Sequence, residues 1–128
     1  MRGARLVLAV LAAGGWVVGC GSDADSTSAP GACRRAQNGR VTVVAADLAW
    51  DRDCLEGPAD EPLTIVVDNQ DDGVNHNLHL TDAPDEPSTE LEAGPVRQQL
   101  AVTLPAGAHE YVCDIHPSMV GTLTMTSP

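Results

Sequence analysis

Four side chains that bind soft metal ions stand out in this 128-residue sequence, three of them in one short segment close to its end. Cys113, His116 and Met119 follow one another at equal intervals, and His76 lies upstream. Thiolate and thioether stabilise Cu(I), whereas imidazole accepts either Cu(I) or Cu(II), so the set suits copper that cycles between the two states. Zinc prefers four strong tetrahedral ligands, and methionine is a weak one. The sequence therefore predicts one copper ion held by these four residues.

The spacing of these donors requires a strand and a tight return. Cys113 is predicted to end a strand at 110–113, and two short intervals then let His116 and Met119 curl back over the same ion. His76 is predicted on a strand at 76–81 from elsewhere in the fold. It would close the site and tie it to a rigid sheet.

Short apolar runs separated by turn-forming residues make up the rest of the chain. Runs at 41–44, 63–67 and 100–104 are rich in β-branched residues, and another occupies 122–126. In 100–104 the apolar residues recur at every second position, as in a half-buried strand. The acidic, proline-bearing segment 81–95 is predicted to be a surface excursion. Short strands without intervening helices predict an all-β fold, an antiparallel β-sandwich.

The segment 111–121 resembles the ligand loop of the cupredoxins, the blue copper proteins, in which Cys-x-x-His-x-x-Met follows an aromatic-bearing strand. Its short interval between histidine and methionine is most similar to that of amicyanin and its relatives, whereas plastocyanin has a longer one. Asn69-Gln70 followed by His76-Asn77 also matches. The resemblance runs from about residue 41 to residue 125. It implies a Greek-key β-sandwich with a long axial ligand, Met119, and three strong equatorial ligands, His76, Cys113 and His116.

Other polar residues near the donors have separate expectations. Asp114 stands where the family more often has serine or threonine, so it adds negative charge beside the thiolate. Asn77 either hydrogen-bonds the Cys113 loop and joins the two halves of the site, or is an ordinary exposed amide. His79 would face away from His76 on one strand, and His109 lies too far from Cys113 along its strand to be a ligand.

The start of the chain predicts export and a lipid anchor. Arg2 and Arg5 precede an apolar run at 6–18, which is typical of a secretory signal. The ending Val17-Val18-Gly19-Cys20 resembles the lipobox of bacterial lipoproteins, in which the cysteine sulfur receives a diacylglyceryl group. We therefore expect a signal peptide at 1–19, a flexible tether at 20–32 that begins with lipidated Cys20, and a copper-binding domain at 33–128.

The remaining cysteines and the charge fit that compartment. Export permits a disulfide between Cys33 and Cys54, although two buried free thiols or a metal pair are also compatible with the sequence. The formal net charge is -11, and both Arg2 and Arg5 precede Cys20 whereas all 18 acids follow it, so the exported chain is more acidic still. Such a surface repels nucleic acid and excludes a nucleic-acid-binding role.

These observations predict a monomeric one-electron carrier, anchored to the outer face of the cell membrane by its lipid and serving membrane or extracytoplasmic redox proteins. The alternative is a copper-homeostasis protein that buffers or delivers the ion with the same ligands. An enzyme such as a nitrite reductase or a multicopper oxidase needs further copper centres rich in histidine. The sequence has only four histidines, which argues against catalysis.

Overall fold

The structure is a computed structural model that describes residues 31–128. The predicted signal peptide, Cys20 and nearly all of the predicted tether lie outside these residues. Within them, no helix is long and apolar enough to cross a membrane. The described chain forms eleven strands: β1 Arg34–Arg35, β2 Arg40–Ala46, β3 Ala49–Trp50, β4 Cys54–Pro58, β5 Leu63–Asn69, β6 Asn75–His76, β7 His79–Leu80, β8 Glu92–Ala93, β9 Val96–Val102, β10 Gly107–Cys113 and β11 His116–Thr126.

Two sheets enclose a shared core and form a sandwich, which confirms the predicted all-β class. One has the strand order β1-β4-β11-β10-β7 and the other the order β3-β2-β5-β9, while β6 and β8 form a small separate pair. The pairs β1–β4, β4–β11 and β2–β5 are parallel, and the other strand pairs are antiparallel. The sheets are therefore mixed, because connections cross between them and bring together strands that are not consecutive.

The core is almost entirely aliphatic, as a chain without phenylalanine requires. Buried and more exposed positions alternate along β2 and β11, which matches the period of two in a strand. Burying one Val, Leu or Ile side chain contributes roughly 1.5–3 kcal/mol. Tyr111 is the largest fully buried side chain, and its hydroxyl donates to the carbonyl of Arg52 over 2.6 Å. A Cβ at Gly121, its partner on β11, would overlap the Tyr111 ring, so only glycine leaves it room.

The cysteines separate into a bridge and a buried thiol. Cys33 and Cys54 form a disulfide with a Cα–Cα distance of 4.5 Å, which confirms the predicted bridge and excludes the free-thiol and metal-pair alternatives. It ties the chain before β1 to the start of β4. A loop of this length contributes roughly 3 kcal/mol by restricting the unfolded chain. Cys113 is the free cysteine of the described residues, and it is buried.

The predicted strand 76–81 is interrupted, which corrects the sequence-based expectation. β6 ends at His76 and pairs with β8, whereas β7 begins at His79 and pairs with β10. Between them the Leu78 amide donates to Thr89 Oγ1 over 3.0 Å, and the Thr89 amide donates back to the Leu78 carbonyl. The excursion at 81–95 therefore packs on the sandwich and holds this break, with Thr89 itself buried.

Candidate metal centre

Three of the four predicted donors meet at one end of the sandwich. The ligand atoms of His76, Cys113 and His116 all lie within 4.8 Å of one another. The Cys113 Sγ atom is 3.7 Å from Nδ1 of His76 and 3.4 Å from Nδ1 of His116. The two imidazole rings are inclined at 51° with centroids 4.6 Å apart. Both histidines thus turn the same nitrogen toward the sulfur, as donors to a shared ion would.

The β10–β11 hairpin sets Cys113 and His116 side by side. Cys113 ends β10 and His116 begins β11, and the two residues pair across a turn that contains only Asp114 and Ile115. The register shifts between Val112 and Cys113, which is a local irregularity of the kind that re-aims side chains near sites. The predicted end of a strand at Cys113 is therefore present, and the return is tighter than expected.

Met119 reaches the site from a strand. It lies within β11, whereas the sequence-based interpretation placed it on a loop curling over the ion. Its side chain is 1% exposed and packs with Cys113, Ala45 and Trp50 in a small cluster at this end of the sandwich. The alternation of β11 turns Met119, like Gly121 and Leu123, inward. A thioether so placed stands beside the thiolate and the two imidazoles.

Exposure differs sharply among the donors. His76 and Met119 are each 1% exposed and Cys113 is 2% exposed, whereas His116 is only partly buried. Ile115, next to His116 in the hairpin turn, is 48% exposed. The donor group is thus sealed on every side except that of His116.

Asn77 and Asp114 join the two halves of the site. The Asn77 Nδ2 group donates to Asp114 Oδ2 over 2.7 Å, and the Asp114 amide donates back to Asn77 Oδ1 over 2.9 Å. His79 Nδ1 also donates to Asp114 Oδ1 over 2.8 Å. The hydrogen bonds from His79 and then from Asn77 hold the pKa of Asp114 below its ordinary value, against the effect of burial. Asn77 is 3% exposed, so it is a clasp between β6 and the hairpin and not an exposed amide.

The two other histidines lie outside the donor group. His79 binds Asp114 from the outer side, although the break after β6, and not strand alternation, sets its direction. His109 is buried in β10, where its Nε2 group donates to the carbonyl of Pro105 over 3.1 Å. Neither ring belongs to the group of potential metal ligands found among residues 31–128.

Asp71 and Trp50 contact the donors and were not among the sequence-based candidates. The Asp71 carboxylate accepts a 2.7 Å hydrogen bond from Nε2 of His76. The Leu48 amide lowers the pKa of Asp71, burial opposes it, and His76 and the Asp47 amide lower it further. Trp50 packs on Cys113 and Met119 and meets Tyr111 edge to face. The pair Asp71-Asp72, shortly before His76, was the signal in the sequence for a carboxylate near this ligand. The sequence does not show which of the two carboxylates faces His76.

The donor set fits copper better than other biological metals. A trigonal group of one thiolate and two imidazoles beside a thioether is the ligand set of type 1 copper. A structural zinc site would need a fourth strong protein ligand, whereas the group of His, Cys, Asp and Glu ligands found among residues 31–128 contains only three members. These four residues therefore suit one copper ion.

Comparisons with known proteins agree with this chemistry. A family model described as a cupredoxin-like domain matches residues 8–125. Auracyanin A, a "blue" copper protein from Chloroflexus aurantiacus, superposes with a TM-score of 0.61 at 20% identity, over 72% of this chain and 99% of that chain. Auracyanin B superposes with a TM-score of 0.59 at 27% identity, over 68% and 88%. No curated protein sequence matches the chain.

Part of a larger enzyme has the same fold. The copper-containing nitrite reductase of Thermus scotoductus SA-01 superposes with a TM-score of 0.54 at 23% identity, over 70% of this chain but only 23% of that one. The family model covers most of the sequence, and the fold and the donor chemistry point the same way. The chain belongs to the cupredoxin-like family, and its clustered thiolate, imidazole and thioether donors suit that family's single type 1 copper ion.

Proposed function

We propose that this protein is a one-electron carrier in which His76, Cys113, His116 and Met119 bind one copper ion. The observation that carries the proposal is the asymmetry of exposure, since three donors are buried and one is partly exposed. Bound copper supplies a one-electron couple between Cu(I) and Cu(II). The protein supplies rigid placement of the donors, exclusion of water and one imidazole edge at the surface.

The surroundings of His116 suit brief docking. Ile115 is 48% exposed beside it, and Pro117 on its other side is also exposed. An apolar rim around one imidazole can make a small interface, and weak redox encounters use interfaces at the low end of the size range. We infer a redox protein as partner, approached through this rim.

Features outside the site support an anchored, extracytoplasmic carrier. The Cys33–Cys54 disulfide suits an oxidising compartment. The signal peptide predicted at 1–19 would direct export, and the lipid on Cys20 would then hold a monomeric carrier at the membrane, where redox partners are embedded. Mass spectrometry of the N-terminal peptide checks this directly: it should carry a diacylglyceryl group on Cys20, and Cys20→Ser should leave an unlipidated, mislocalised chain. Release of that variant in wild-type, processed form would contradict the anchor.

We infer that the protein is not an enzyme. The similarity to the nitrite reductase covers less than a quarter of that chain, so it concerns a shared domain. Residues 31–128 contain one group of three potential His, Cys, Asp or Glu ligands, and the other two histidines of this part are held by Asp114 and Pro105. Catalysis on a substrate would need a second metal or an open coordination position, and the burial of three of the four donors argues against the latter.

A copper titration tests the proposal. One equivalent of Cu(II) added to residues 21–128 should give an intense blue or green colour from the Cys113 thiolate, and Cys113→Ser should abolish it. The coloured protein should exchange electrons reversibly with a small redox dye without releasing copper to a chelator. A colourless complex, a preference for zinc or rapid loss of copper to the chelator would contradict the carrier, and the last result would favour a copper buffer.

A further inference from the structure

The carboxylate of Asp71 lies directly behind the buried ligand His76. Its Oδ2 atom is 2.7 Å from Nε2 of His76 and accepts the Leu48 amide over 3.0 Å, while Oδ1 accepts the Asp47 amide over 2.6 Å. The Asp71 side chain is only 13% exposed and the His76 side chain is fully buried. Three N–H groups thus converge on one carboxylate, and the most buried of them belongs to the donor group.

The turn that supplies two of those N–H groups is strained. Asp47 and Leu48 join β2 to β3 with φ values of 53° and 58°. Aspartate tolerates the first position of such a turn, but the second favours glycine, because a left-handed conformation costs leucine energy. The Leu48 side chain is 51% exposed, so packing does not explain the strain. The conformation does, however, direct the backbone amides of both residues at the Asp71 carboxylate.

Asn69 fixes the loop that carries Asp71. Its Oδ1 atom accepts the Asp71 amide over 3.0 Å, and its Nδ2 group donates to the carbonyls of Val74 and Glu92 over 2.8 and 3.0 Å. Asn69 is 2% exposed. The end of β5, the β2–β3 turn and the β6–β8 pair therefore all constrain the position of one carboxylate.

We propose that Asp71 is a positioning residue for the copper site. Its carboxylate accepts a hydrogen bond from the Nε2–H group of His76, which keeps the proton on Nε2 and leaves the Nδ1 lone pair directed at the space beside Cys113 Sγ. A carboxylate partner also raises the basicity of a ligating imidazole and strengthens its bond to the metal. Because this favours Cu(II) over Cu(I), Asp71 lowers the reduction potential. The inference rests on the proposed ligation by His76 and adds the residue that orients it.

Asp71→Asn is the principal test, because it removes the charge and keeps the size. We expect its Cu(II) affinity to fall by roughly 10–100-fold, as for other partners of ligating histidines, and its potential to rise. Nitrogen NMR of the copper-free protein should show the Nε2-protonated tautomer of His76 in the wild type and a loss of that preference in the variant. Asp72→Asn is the matched control, since it removes an exposed charge from the adjacent position.

Two further variants keep the test decisive. Asp71→Glu should recover part of the affinity and potential, because it restores the carboxylate, and it replaces Asp71→Asn if that variant fails to fold. Leu48→Gly keeps the turn and its amide, so its affinity and potential should match the wild type. A role confined to folding would lower stability in Asp71→Asn without moving the potential or the tautomer.

The proposal is overturned if Asp71→Asn and Asp72→Asn have equal affinity, potential and His76 tautomer. It is also overturned if Leu48→Gly shifts the potential as much as Asp71→Asn does. A wild-type protein that gives no colour with copper would instead defeat the proposed function. The tautomer measurement on the copper-free protein still decides whether Asp71 orients His76 in that case.

Discussion

The two imidazoles of the site occupy opposite environments. His76 is 1% exposed, and its outer nitrogen donates to the buried Asp71 carboxylate. His116 is partly exposed, and no described residue hydrogen-bonds its Nε2 atom. His76 sits on a two-residue strand clamped by the loops around it, whereas His116 begins the longest strand of the sheet. His76 is thus held by a hydrogen bond to the Asp71 carboxylate, whereas His116 is placed by the backbone pairing of β11 with β10.

In the proposed carrier, this difference would separate two tasks that a redox site must perform. A ligand fixed by a charged partner keeps the same position when the charge of the ion changes, which keeps reorganisation small. A ligand with a free edge gives the electron a short path to a partner. The site therefore has two sides: an interior side, where His76 is buried and held by Asp71, and an exterior side, where an edge of the His116 ring reaches the surface. Each of the following predictions tests whether these two sides are as different as their surroundings indicate.

The largest effect is expected from removing each imidazole in turn. His76→Gly and His116→Gly should both lose the intense colour, because each takes away one of the two imidazole donors. Added imidazole should restore colour to His116→Gly, whose gap opens to solvent, but not to His76→Gly, whose gap is sealed. Visible spectra at rising imidazole concentration measure this. Equal rescue of both variants would show that the interior side is not closed.

Asn77→Ala should weaken the clasp between the two sides. The change removes two hydrogen bonds to Asp114 and leaves a backbone amide of the ligand hairpin without its partner. We expect a loss of about 1–3 kcal/mol in the free energy of unfolding. Urea unfolding of the copper-free protein gives the value, and Thr81→Ala, which loses one exposed contact to Glu110, is the control. An unchanged unfolding midpoint for Asn77→Ala would contradict the clasp.

Ile115→Asp should impair docking at the exterior side alone. A carboxylate placed in the apolar rim would have to lose water when a partner covers it, and burying an unpaired charge is costly. We expect roughly tenfold slower electron exchange with a redox partner, or about 1.4 kcal/mol, at unchanged visible spectrum and copper affinity. Ala101→Asp adds the same charge on β9, away from the site, and should exchange at the wild-type rate. Equal rates for the two variants would place the electron path elsewhere.

The smallest effect concerns an ion pair that contacts neither imidazole. Arg97 donates to Asp68 over 2.9 Å and holds the pKa of Asp68 below its ordinary value of 3.8, against the effect of burial. A lowered folded-state pKa stabilises the protein above that ordinary value, and the contribution is lost as the pH falls through the folded-state pKa. Asp68→Asn should therefore cost less than about 1 kcal/mol at pH 7, because the arginine is mostly exposed, and it should cost less at pH 2 than at pH 7. Urea unfolding at both pH values checks this. An equal loss of unfolding free energy at the two pH values would show that the Arg97–Asp68 ion pair is not the cause of that loss.

Much of the site could be predicted because its information is local. Cys113, His116 and Met119 lie on one hairpin, so their types and intervals reveal the ligand set without any knowledge of the fold. His76 was identified by its distinctive neighbours in sequence. The burial alternation of 41–44 and 122–126 likewise follows from the strand period.

The missed features depend on contacts between distant segments. Asp71 is held facing His76 partly by hydrogen bonds that its carboxylate accepts from backbone amides of a turn more than twenty residues earlier. The break after His76 follows from reciprocal hydrogen bonds between Leu78 and Thr89. The intrinsic propensities of residues 76–81 indicate neither the contact with Asp71 nor the break after His76. The parallel pairs within the sandwich have the same origin, since crossover connections are a property of the whole topology.

The burial of Cys113 has a consequence for oxidative maturation. Disulfide scrambling requires a thiolate that can reach another sulfur atom. With Cys113 only 2% exposed and Cys33 joined to Cys54, the folded residues 31–128 offer no accessible thiol to attack the bridge. Native packing thereby keeps Cys113 out of disulfide exchange and leaves its sulfur atom able to bind metal. Iodoacetamide should accordingly alkylate Cys113 of the copper-free chain in urea and spare it in native buffer.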